Sequence, residues 1–348
     1  MSFPETLPLP RTRPPMEAPP LRWGILGTGW IAAKFVESVQ AHTRQTIAAV
    51  GSRSPEAAER FAVTWQVPRA YGSYEALVAA DDIDIIYVAT PHNRHHEHAM
   101  LAIAAGKHVL IEKPVALNHA QAADMVAAAR AKGVFFAEAL WTYFLPKFDV
   151  ISQVLDADIV GDILSVYTDY GEYLPREHRI FDAKLAGGPL LDLGTYPVSL
   201  LAKLLGTHER IVGLATPDPA GVNGQLSVVV SNKRGALGTM STSPYGFSPT
   251  NAAIIGSRGT IRFETEFHLP GSFEVWSLDG TRRLRYEEPR GAHFEGLFHE
   301  AAEIAWALAE GKLETACRPA EASLATMRLL DGIRQALGID LTQAGLLE

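Results

Sequence analysis

The stretch from Trp23 to Ala33 constrains this chain more than any other part of it. A short apolar strand runs into two glycines and then into a helix. Gly27 suits a tight turn where a Cβ would clash, Gly29 lets the backbone approach a bound pyrophosphate, and Ala32 lets the helix pack closely on the strand. This G-x-G-x-x-A pattern places phosphates at a helix N-terminus, which favours anions. It predicts a dinucleotide-binding loop made of Gly27, Thr28, Gly29, Trp30 and Ile31.

A second strand is predicted over 46–50, and Ser52, Arg53 and Ser54 follow it. The ribose-reading residue of a dinucleotide fold lies about 20 residues past the glycines. An acidic residue there would bond the 2′-hydroxyl of NAD, whereas a cation between two hydroxyls fits the 2′-phosphate of NADP. The alternative is a solvated turn before a helix that starts at Pro55. We expect NADP as the cofactor, with NAD as the second choice.

Strands and helices alternate through the rest of this half, which predicts a doubly wound parallel sheet, a Rossmann domain over 21–139. The further strands are predicted at 70–71, 83–89, 108–111 and 134–136, and the helices at 31–39, 55–61, 73–79, 98–105 and 120–132.

Two polar segments follow buried strands at the edge where open α/β sheets bind ligands. The first runs from Thr90 and Pro91 to His96, and either His92 or His95 is expected near the nicotinamide or the substrate. The second is Glu112-Lys113-Pro114, where Pro114 allows a cis bond. Lys113 is a catalytic candidate or, alternatively, a solvated lysine. The histidine spacing resembles no defined zinc site, so we expect no metal.

The pattern changes near residue 140. A helix is predicted over 147–155, a strand over 163–170 and a helix over 189–205. Seven short strands follow, at 211–216, 225–231, 236–243, 251–255, 260–264, 273–278 and 283–286, with turns at 223–224, 232–235, 257–259 and 279–280. Two helices end the chain, at 294–310 and 319–337. This predicts a C-terminal α+β domain over 140–348 with a large, mostly antiparallel open sheet, its last helix packing back on the Rossmann domain. An uncovered sheet face predicts a homodimer or homotetramer.

Asp192 and Tyr196 lie four residues apart, so both would share one face of a continuous helix. Pro197 complicates this, because it biases Tyr196 away from the α region and can kink a helix. The alternative is a capping aspartate and a buried tyrosine. His178 and Arg179, in the preceding loop, are candidates for substrate contact.

Composition excludes several classes of function. A net charge of −8 over 348 residues argues against a general nucleic-acid binder and against an anionic membrane surface. No apolar run nears the roughly 18 residues that span a bilayer. The single cysteine excludes an intrachain disulfide and suits a cytoplasmic location. Residues 1–20 carry seven prolines and lack the apolar core of a signal peptide. They are either a disordered tail or an arm over the cofactor cleft or a neighbouring subunit.

Taken in order and spacing, the glycine loop, Glu112-Lys113-Pro114 and the segment from Asp192 to Tyr196 resemble the Gfo/Idh/MocA family of NAD(P)-dependent sugar oxidoreductases. The resemblance covers nearly all of the chain after the proline-rich arm. It is strongest to the branch of dimeric dihydrodiol dehydrogenases and NADP-dependent D-xylose dehydrogenases. That branch carries E-A-x-W-T-R-F-x-P, here 138–146, and G-G-x-L-L-D-L-G-x-Y-P, here 187–197.

The resemblance implies that Lys113 and Tyr196 are the catalytic pair, with Asp192 beside them. Tyr143 stands where the branch carries an arginine, so the chain departs from the branch pattern at this position. The other residues expected at the site are Thr90, Pro91, His95 and Glu112 toward the cofactor and His92, Trp141, Tyr143, Phe144, His178 and Arg179 toward the substrate.

The predicted reaction is hydride transfer between NADP and a hydroxyl carbon of a sugar, polyol or cyclic diol, with Tyr196 as acid/base assisted by Lys113. Two alternatives stay open. One is a hydrolase or lyase that retains its cofactor through a turnover, and the other is a non-catalytic NADP-binding sensor.

Overall fold

A computed structural model of the chain describes residues 3–291, 294–341 and 346–347. The described chain divides into two units. Residues 12–144 and 294–323 form the first, here named the Rossmann unit. Residues 3–11, 145–291 and 324–341 belong to the second, here named the sheet unit.

A six-stranded parallel sheet forms the centre of the Rossmann unit, in the strand order β3-β2-β1-β4-β5-β6. The central strands are buried on both faces, which explains their continuous apolar runs. This confirms the predicted doubly wound sheet. The strands are β1 (Arg22–Leu26), β2 (Thr46–Gly51), β3 (Ala70–Tyr71), β4 (Ile85–Val88), β5 (His108–Glu112) and β6 (Phe136–Ala139).

Five helices connect these strands, and three of them start at a side-chain cap. Ser54, Ser73 and Asn118 each accept a hydrogen bond from a main-chain N–H of the first helical turn. The helices are α1 (Trp30–His42), α2 (Pro55–Trp65), α3 (Tyr74–Val78), α4 (His95–Ala104) and α5 (His119–Lys132).

The sheet unit begins with helix α6 (Pro146–Asp156) and contains an eight-stranded sheet in the order β14-β13-β12-β11-β7-β10-β9-β8. Neighbouring strands are antiparallel except β7 and β10, so the predicted mostly antiparallel sheet is confirmed. The strands are β7 (Ile163–Gly171), β8 (His208–Pro217), β9 (Asn223–Asn232), β10 (Leu237–Ser243), β11 (Ala252–Gly256), β12 (Gly259–Phe263), β13 (Phe273–Ser277) and β14 (Arg283–Tyr286).

The helix predicted over 189–205 is two helices, α7 (Pro189–Asp192) and α8 (Thr195–Leu205). The chain bends at Leu193 and Gly194, which precede Pro197 in the first turn of α8. Proline has no N–H to donate to the preceding turn, so a new helix starts there more readily than the old one continues. Asp192 and Tyr196 therefore do not share one continuous helix.

Local expectations for one turn and for one strand differ from the structure. Asn223 and Gly224 were expected to form a turn, but they are the first residues of β9. The turn lies earlier, where Gly221 N–H donates to Asp218 O and Gly221 has a φ of +81°, which favours glycine. The sixth strand of the Rossmann sheet starts at Phe136 rather than at residue 134.

Two helices complete the chain, α9 (Leu297–Ala309) and α10 (Ala320–Leu337). Within the Rossmann unit, α9 packs on α1. Ser38 of α1 contacts α9 through its hydroxyl, 3.2 Å from the Phe298 nitrogen, and His42 packs its ring on Phe298. From Leu324 onward, α10 belongs to the sheet unit, where Gly332 lies against His208 and Ile211 of β8.

The described part of the proline-rich arm is ordered against its own chain. In the sheet unit, Arg11 forms a two-pronged ion pair with Asp149 of α6. In the Rossmann unit, Arg13 lies over the Trp306 ring and pairs with Glu303 of α9. These contacts place this part of the arm against α6 and α9 of its own chain.

Within the described residues, no helix combines the length and apolarity that crossing a bilayer requires.

Candidate active site

The glycine loop between β1 and α1 has the geometry of a phosphate cradle. Gly27 has a φ of +116°, and a Cβ there would lie 2.7 Å from the Ala89 carbonyl oxygen. A Cβ on Gly29 would meet only that same oxygen, at 3.9 Å, so the outer side of the loop is open. No side chain caps α1 at Gly29. The N–H groups of its first turn, with Thr28, Trp30 and Ile31 around them, are thus left for an anion.

At the end of β2, only one of the three ribose-reading candidates extends toward solvent. Ser52 is buried, and its hydroxyl accepts the Ser54 N–H at 3.3 Å. The Ser54 hydroxyl caps α2 and donates to Glu56 at 2.7 Å. Arg53 is exposed, and its guanidinium lies close enough to the Tyr74 hydroxyl to interact with it electrostatically. Arg53 is the cation of this edge, and the motif did not indicate its neighbour Tyr74.

The loop after β4 is closed by His95. Its Nδ1 lies 2.8 Å from the Pro114 carbonyl oxygen and its Nε2 lies 2.8 Å from the Thr90 carbonyl oxygen. The ring is buried, so His95 ties this loop to the segment after β5 rather than offering a nitrogen at the surface. His92 is buried beside it, with ring centroids 6.3 Å apart, and Pro91 lies between Thr90 and His92.

Lys113 leaves β5 at the ligand edge of the sheet and precedes a cis Lys113–Pro114 bond. The buried Glu112 carboxylate accepts the Lys113 N–H at 3.1 Å and also accepts the Tyr87 hydroxyl. Val115 N–H, beyond the proline, donates to Glu138 at 3.1 Å. The main chain on both sides of the lysine is therefore fixed by buried carboxylates, while the lysine itself is partly exposed.

A fully buried acid, Glu300 of α9, lies close enough to Glu112 to interact with its charge. Burial, and secondly the Glu112 charge, raises the pKa of Glu300 well above its usual range. Its two oxygens have no hydrogen-bond partner among the described residues. Burial therefore favours the neutral form of Glu300 beside Glu112, and no sequence motif indicated this residue.

The four residues after Leu140 form one turn of 3-10 helix, Trp141–Phe144, and all four are buried. The Tyr143 ring lies under the Arg318 guanidinium, 5.0 Å from its carbon. Trp141 packs near Phe294, which also meets Trp30 of the glycine loop edge-on at 4.4 Å. Phe294, which the sequence reasoning missed, joins the predicted substrate and cofactor segments.

In the sheet unit, Asp192 and Arg179 form an ion pair. The Arg179 Nη2 lies 3.0 and 2.9 Å from the two carboxylate oxygens of Asp192, whose side chain is almost fully buried. The ion pair thus joins a predicted catalytic residue, Asp192, to a predicted substrate-binding residue, Arg179. His178 instead accepts the Ile180 N–H at its Nδ1, 3.2 Å away, and caps a 3-10 turn.

Tyr196 belongs to a buried aromatic cluster in the same unit. Its ring centroid lies 5.7 Å from that of Tyr170 and 4.9 Å from that of His268, and the latter two rings stack at 4.6 Å. Burial, followed by the acidic neighbours Tyr196, Glu172 and Asp192, raises the pKa of Tyr170 well above its usual range. Tyr170 therefore stays protonated, and the cluster offers phenol, imidazole and carboxylate groups together.

His268 and Tyr170 are the members of this cluster that sequence reasoning missed. Tyr170 is the next-to-last residue of β7, and an alternating strand pattern could have indicated its inward side chain. His268 follows β12 in an irregular segment, and no motif marked it. The described residues hold no cluster of histidine, cysteine and carboxylate side chains suited to a metal ion.

Comparison with known proteins places this geometry in a family. Residues 21–139 match the model of the Gfo/Idh/MocA oxidoreductase family with an NAD-binding Rossmann fold, and residues 148–262 match the C-terminal domain of the same family. Trans-1,2-dihydrobenzene-1,2-diol dehydrogenase from Bos taurus is 31% identical over 333 residues, which cover 93% of this chain and 98% of the relative. The chain belongs to the Gfo/Idh/MocA family.

Further relatives agree with this membership. The human trans-1,2-dihydrobenzene-1,2-diol dehydrogenase is 30% identical over 336 residues, covering 93% of this chain and 98% of the relative. The 3-ketoreductase KijD10 from Actinomadura kijaniata, solved with NADP and TDP-benzene, is 25% identical with a TM-score of 0.78 over 92% of this chain and 98% of that chain. Levoglucosan dehydrogenase, solved with NADH and levoglucosan, is 19% identical and shares the fold, with a TM-score of 0.81 over 92% of this chain and 98% of that chain.

This family member is an NAD(P)-dependent oxidoreductase. The open outer side of Gly29 and the uncapped N-terminus of α1 fit a dinucleotide pyrophosphate. The predicted resemblance is therefore confirmed for the family, the fold and the cofactor class.

Proposed function

We propose that this protein transfers a hydride between NADP and a hydroxyl-bearing carbon of a sugar, polyol or cyclic trans-diol. The observation that carries the proposal is the buried cluster of Tyr196, Tyr170 and His268, which accompanies the Asp192–Arg179 ion pair. It supplies a phenol and a carboxylate, the groups that can bond a substrate hydroxyl. The dihydrodiol dehydrogenases among its relatives support the substrate class.

In this proposal Tyr196 accepts the hydroxyl proton in oxidation and returns it in reduction. An unperturbed tyrosine has a pKa near 10, so it is a poor base at neutral pH. The Lys113 ammonium would favour the phenolate and lower that pKa. Bound NADP supplies the hydride acceptor. Asp192, paired with the guanidinium of Arg179, would accept a hydrogen bond from a substrate hydroxyl.

Remaining site residues have supporting roles in this proposal. Gly27, Thr28, Gly29, Trp30 and Ile31 bind the pyrophosphate, and Thr90, Pro91, His95 and Glu112 shape the nicotinamide end of the site. Trp141, Tyr143, Phe144 and His92 of the Rossmann unit, and His178 and Arg179 of the sheet unit, are the proposed substrate contacts.

We propose that Arg53 selects NADP over NAD. Its exposed guanidinium, next to Tyr74, is suited to a 2′-phosphate, whereas the Ser54 hydroxyl caps α2. Arg53→Glu is expected to lower kcat/KM for NADP by about 100-fold and to leave kcat/KM for NAD within about threefold. Arg60→Glu, on the exposed face of α2, is the matched control. Equal losses with both cofactors would contradict this role.

A substrate screen tests the proposed function. Aldoses, inositols and trans-diols are each incubated with the protein and NADP, and free NADPH is followed by its absorbance. We expect at least one class to be oxidised with steady release of NADPH. Turnover of a glycoside or similar compound without free NADPH would favour the cofactor-retaining hydrolase or lyase. Tight NADP binding without any turnover would favour the sensor.

We propose that the outer face of the eight-stranded sheet is covered by a second copy of the chain. The paired residues Tyr167, Thr239, Val229 and Val212 form one row across four strands of that face. Tyr167, Val229 and Val212 are 54%, 37% and 45% exposed in the single chain. A cleft of about 440 Å³ next to this row is lined by Ser227, Ser241 and other side chains. A contiguous exposed row of this kind favours association.

Val229→Glu is therefore expected to convert the dimer or tetramer to a monomer, because it places a charge in the middle of this row. The mass in solution, measured by light scattering, is the readout. Leu278→Glu, at an exposed apolar position outside the row, is the matched control. A wild-type monomer, or an unchanged oligomer in Val229→Glu, would contradict the proposal.

We also propose that the protein acts in the cytoplasm, a location that the single cysteine suits.

A further inference from the structure

A buried ion pair lies behind the Lys113 segment within the Rossmann unit. Arg318 donates from Nε and Nη2 to the same Glu138 oxygen, at 2.9 and 2.5 Å. The two side chains are 2% and 0% exposed. An ion pair of this burial forms only where hydrogen bonds compensate for the lost hydration, and removal of one partner leaves an uncompensated charge.

Glu138 connects this pair to the main chain next to Lys113. Its other carboxylate oxygen accepts the Val115 N–H at 3.1 Å, two residues after the lysine. The adjoining peptide groups are held as well, since His95 bonds the Pro114 carbonyl and Glu112 accepts the Lys113 N–H. Arg318 therefore supports this segment through a buried charge pair.

Arg318 also contacts the Trp141–Phe144 turn. Its guanidinium carbon lies 5.0 Å from the Tyr143 ring centroid, so the side chain of residue 143 ends next to the ion pair. Arg318 is itself held in place, because its N–H donates to the Thr315 hydroxyl at 3.3 Å. One guanidinium thus joins the segment after Lys113 to a turn of predicted substrate-binding residues.

We infer that Arg318 is a positioning residue that, through Glu138 and Val115, fixes where the Lys113 ammonium lies. Without the guanidinium, the Glu138 carboxylate is left buried and unpaired and must take up a proton or water. Either change weakens its bond to Val115 and lets the Lys113 segment shift. The inference rests on the proposed function in one respect: an effect on turnover requires that Lys113 takes part in the reaction.

The inference is tested with four variants of the full-length protein. Arg318→Met removes the guanidinium, and Tyr143→Arg adds a second one beside it. The double variant Arg318→Met/Tyr143→Arg again carries one guanidinium near Glu138, supplied by residue 143 instead of residue 318. Arg22→Met is the matched control, because it breaks a similar two-pronged pair with Asp84 at the opposite end of the sheet.

The first readout does not depend on activity. Each folded variant is labelled with acetic anhydride, and acetylation of Lys113 is measured by mass spectrometry relative to the exposed Lys132. We expect the Lys113 labelling rate to change at least about threefold in Arg318→Met, and to return toward wild type in the double variant. A wild-type rate in folded Arg318→Met would overturn the inference.

The second readout is steady-state kinetics with a substrate from the screen. Arg318→Met is expected to lower kcat about tenfold or more with an unchanged Kd for NADP. The double variant is assessed by labelling alone, because residue 143 is itself a proposed substrate contact. A merely stabilising role predicts a lower Tm with wild-type kcat and labelling, which would overturn the inference. If the wild type oxidises no alcohol, the proposed function fails while the labelling result still decides the role of Arg318.

Discussion

The Tyr196→Phe variant is expected to lower kcat by about 10²–10⁴-fold, the range supplied by a positioned general acid or base. The phenyl ring preserves the packing on Tyr170 and His268, whose centroids lie 5.7 and 4.9 Å away. Only the hydroxyl that exchanges the substrate proton is lost. The Kd for NADP, measured by fluorescence titration, should stay within about threefold of wild type, because the proposed cofactor contacts lie in the Rossmann unit.

Tyr286→Phe is the control for this experiment. It removes a phenol hydroxyl from the same unit, at a half-buried position on β14 where burial raises the pKa of Tyr286 to about 12. Its kcat should match that of the wild type. If Tyr196→Phe also kept full turnover while binding NADP, the assignment of Tyr196 as acid/base would be wrong.

The Lys147→Met variant is expected to raise the free energy of unfolding by about 2–4 kcal/mol at pH 7. Lys147, in the first turn of α6, is fully buried, and its Nζ has no hydrogen-bond partner among the described residues. It lies over the rings of Phe148 and Phe263, at 5.9 and 5.3 Å. Methionine fills a similar volume among these rings and removes a charge that is poorly compensated.

The pH dependence of this effect has a defined sign. Burial lowers the pKa of Lys147 from 10.5 to about 7, and Glu288 and Glu266 offset this only in part. Between these values the unfolded chain binds a proton that the folded chain does not, so stability falls as the pH decreases from 10.5 to 7. The gain in Lys147→Met should therefore be largest at pH 7 and below and should shrink toward pH 10.

Urea unfolding at several pH values measures this gain. Lys132→Met, at an exposed position on α5, is the matched control and should leave the unfolding free energy unchanged at each pH. A Lys147→Met variant that is less stable than the wild type at pH 7 would contradict this prediction. It would mean that the two aromatic rings and the two carboxylates compensate fully for the burial of the ammonium.

Local sequence patterns predicted much of the fold. The glycine loop, the β-branched run of β4 and the capped starts of α2 and α3 each depend on residues within a few positions of one another. The same holds for the Asp279-Gly280 turn between β13 and β14. Spacing alone left the roles of Lys113, Asp192 and Tyr196 open. The family motifs then led to the hypothesis that these three residues form one catalytic set.

Contacts between distant parts of the chain could not be predicted in this way. Arg318 and Glu138 are separated by 180 positions, and neither lies in a pattern that marks a partner. His268 and Phe294 come from irregular segments that periodicity does not describe. Lys147 begins an amphipathic helix, where a lysine ordinarily faces solvent, so only the packing of α6 reveals that it is buried.

The most direct test of the proposed function is the path of the hydrogen on the reacting carbon. A substrate found in the screen is deuterated at its hydroxyl-bearing carbon and oxidised with NADP, and the released cofactor is analysed by mass spectrometry. Hydride transfer predicts one deuterium in every NADPH formed, with none lost to water. Unlabelled NADPH, or deuterium that stays in the product while no NADPH is released, would contradict the account.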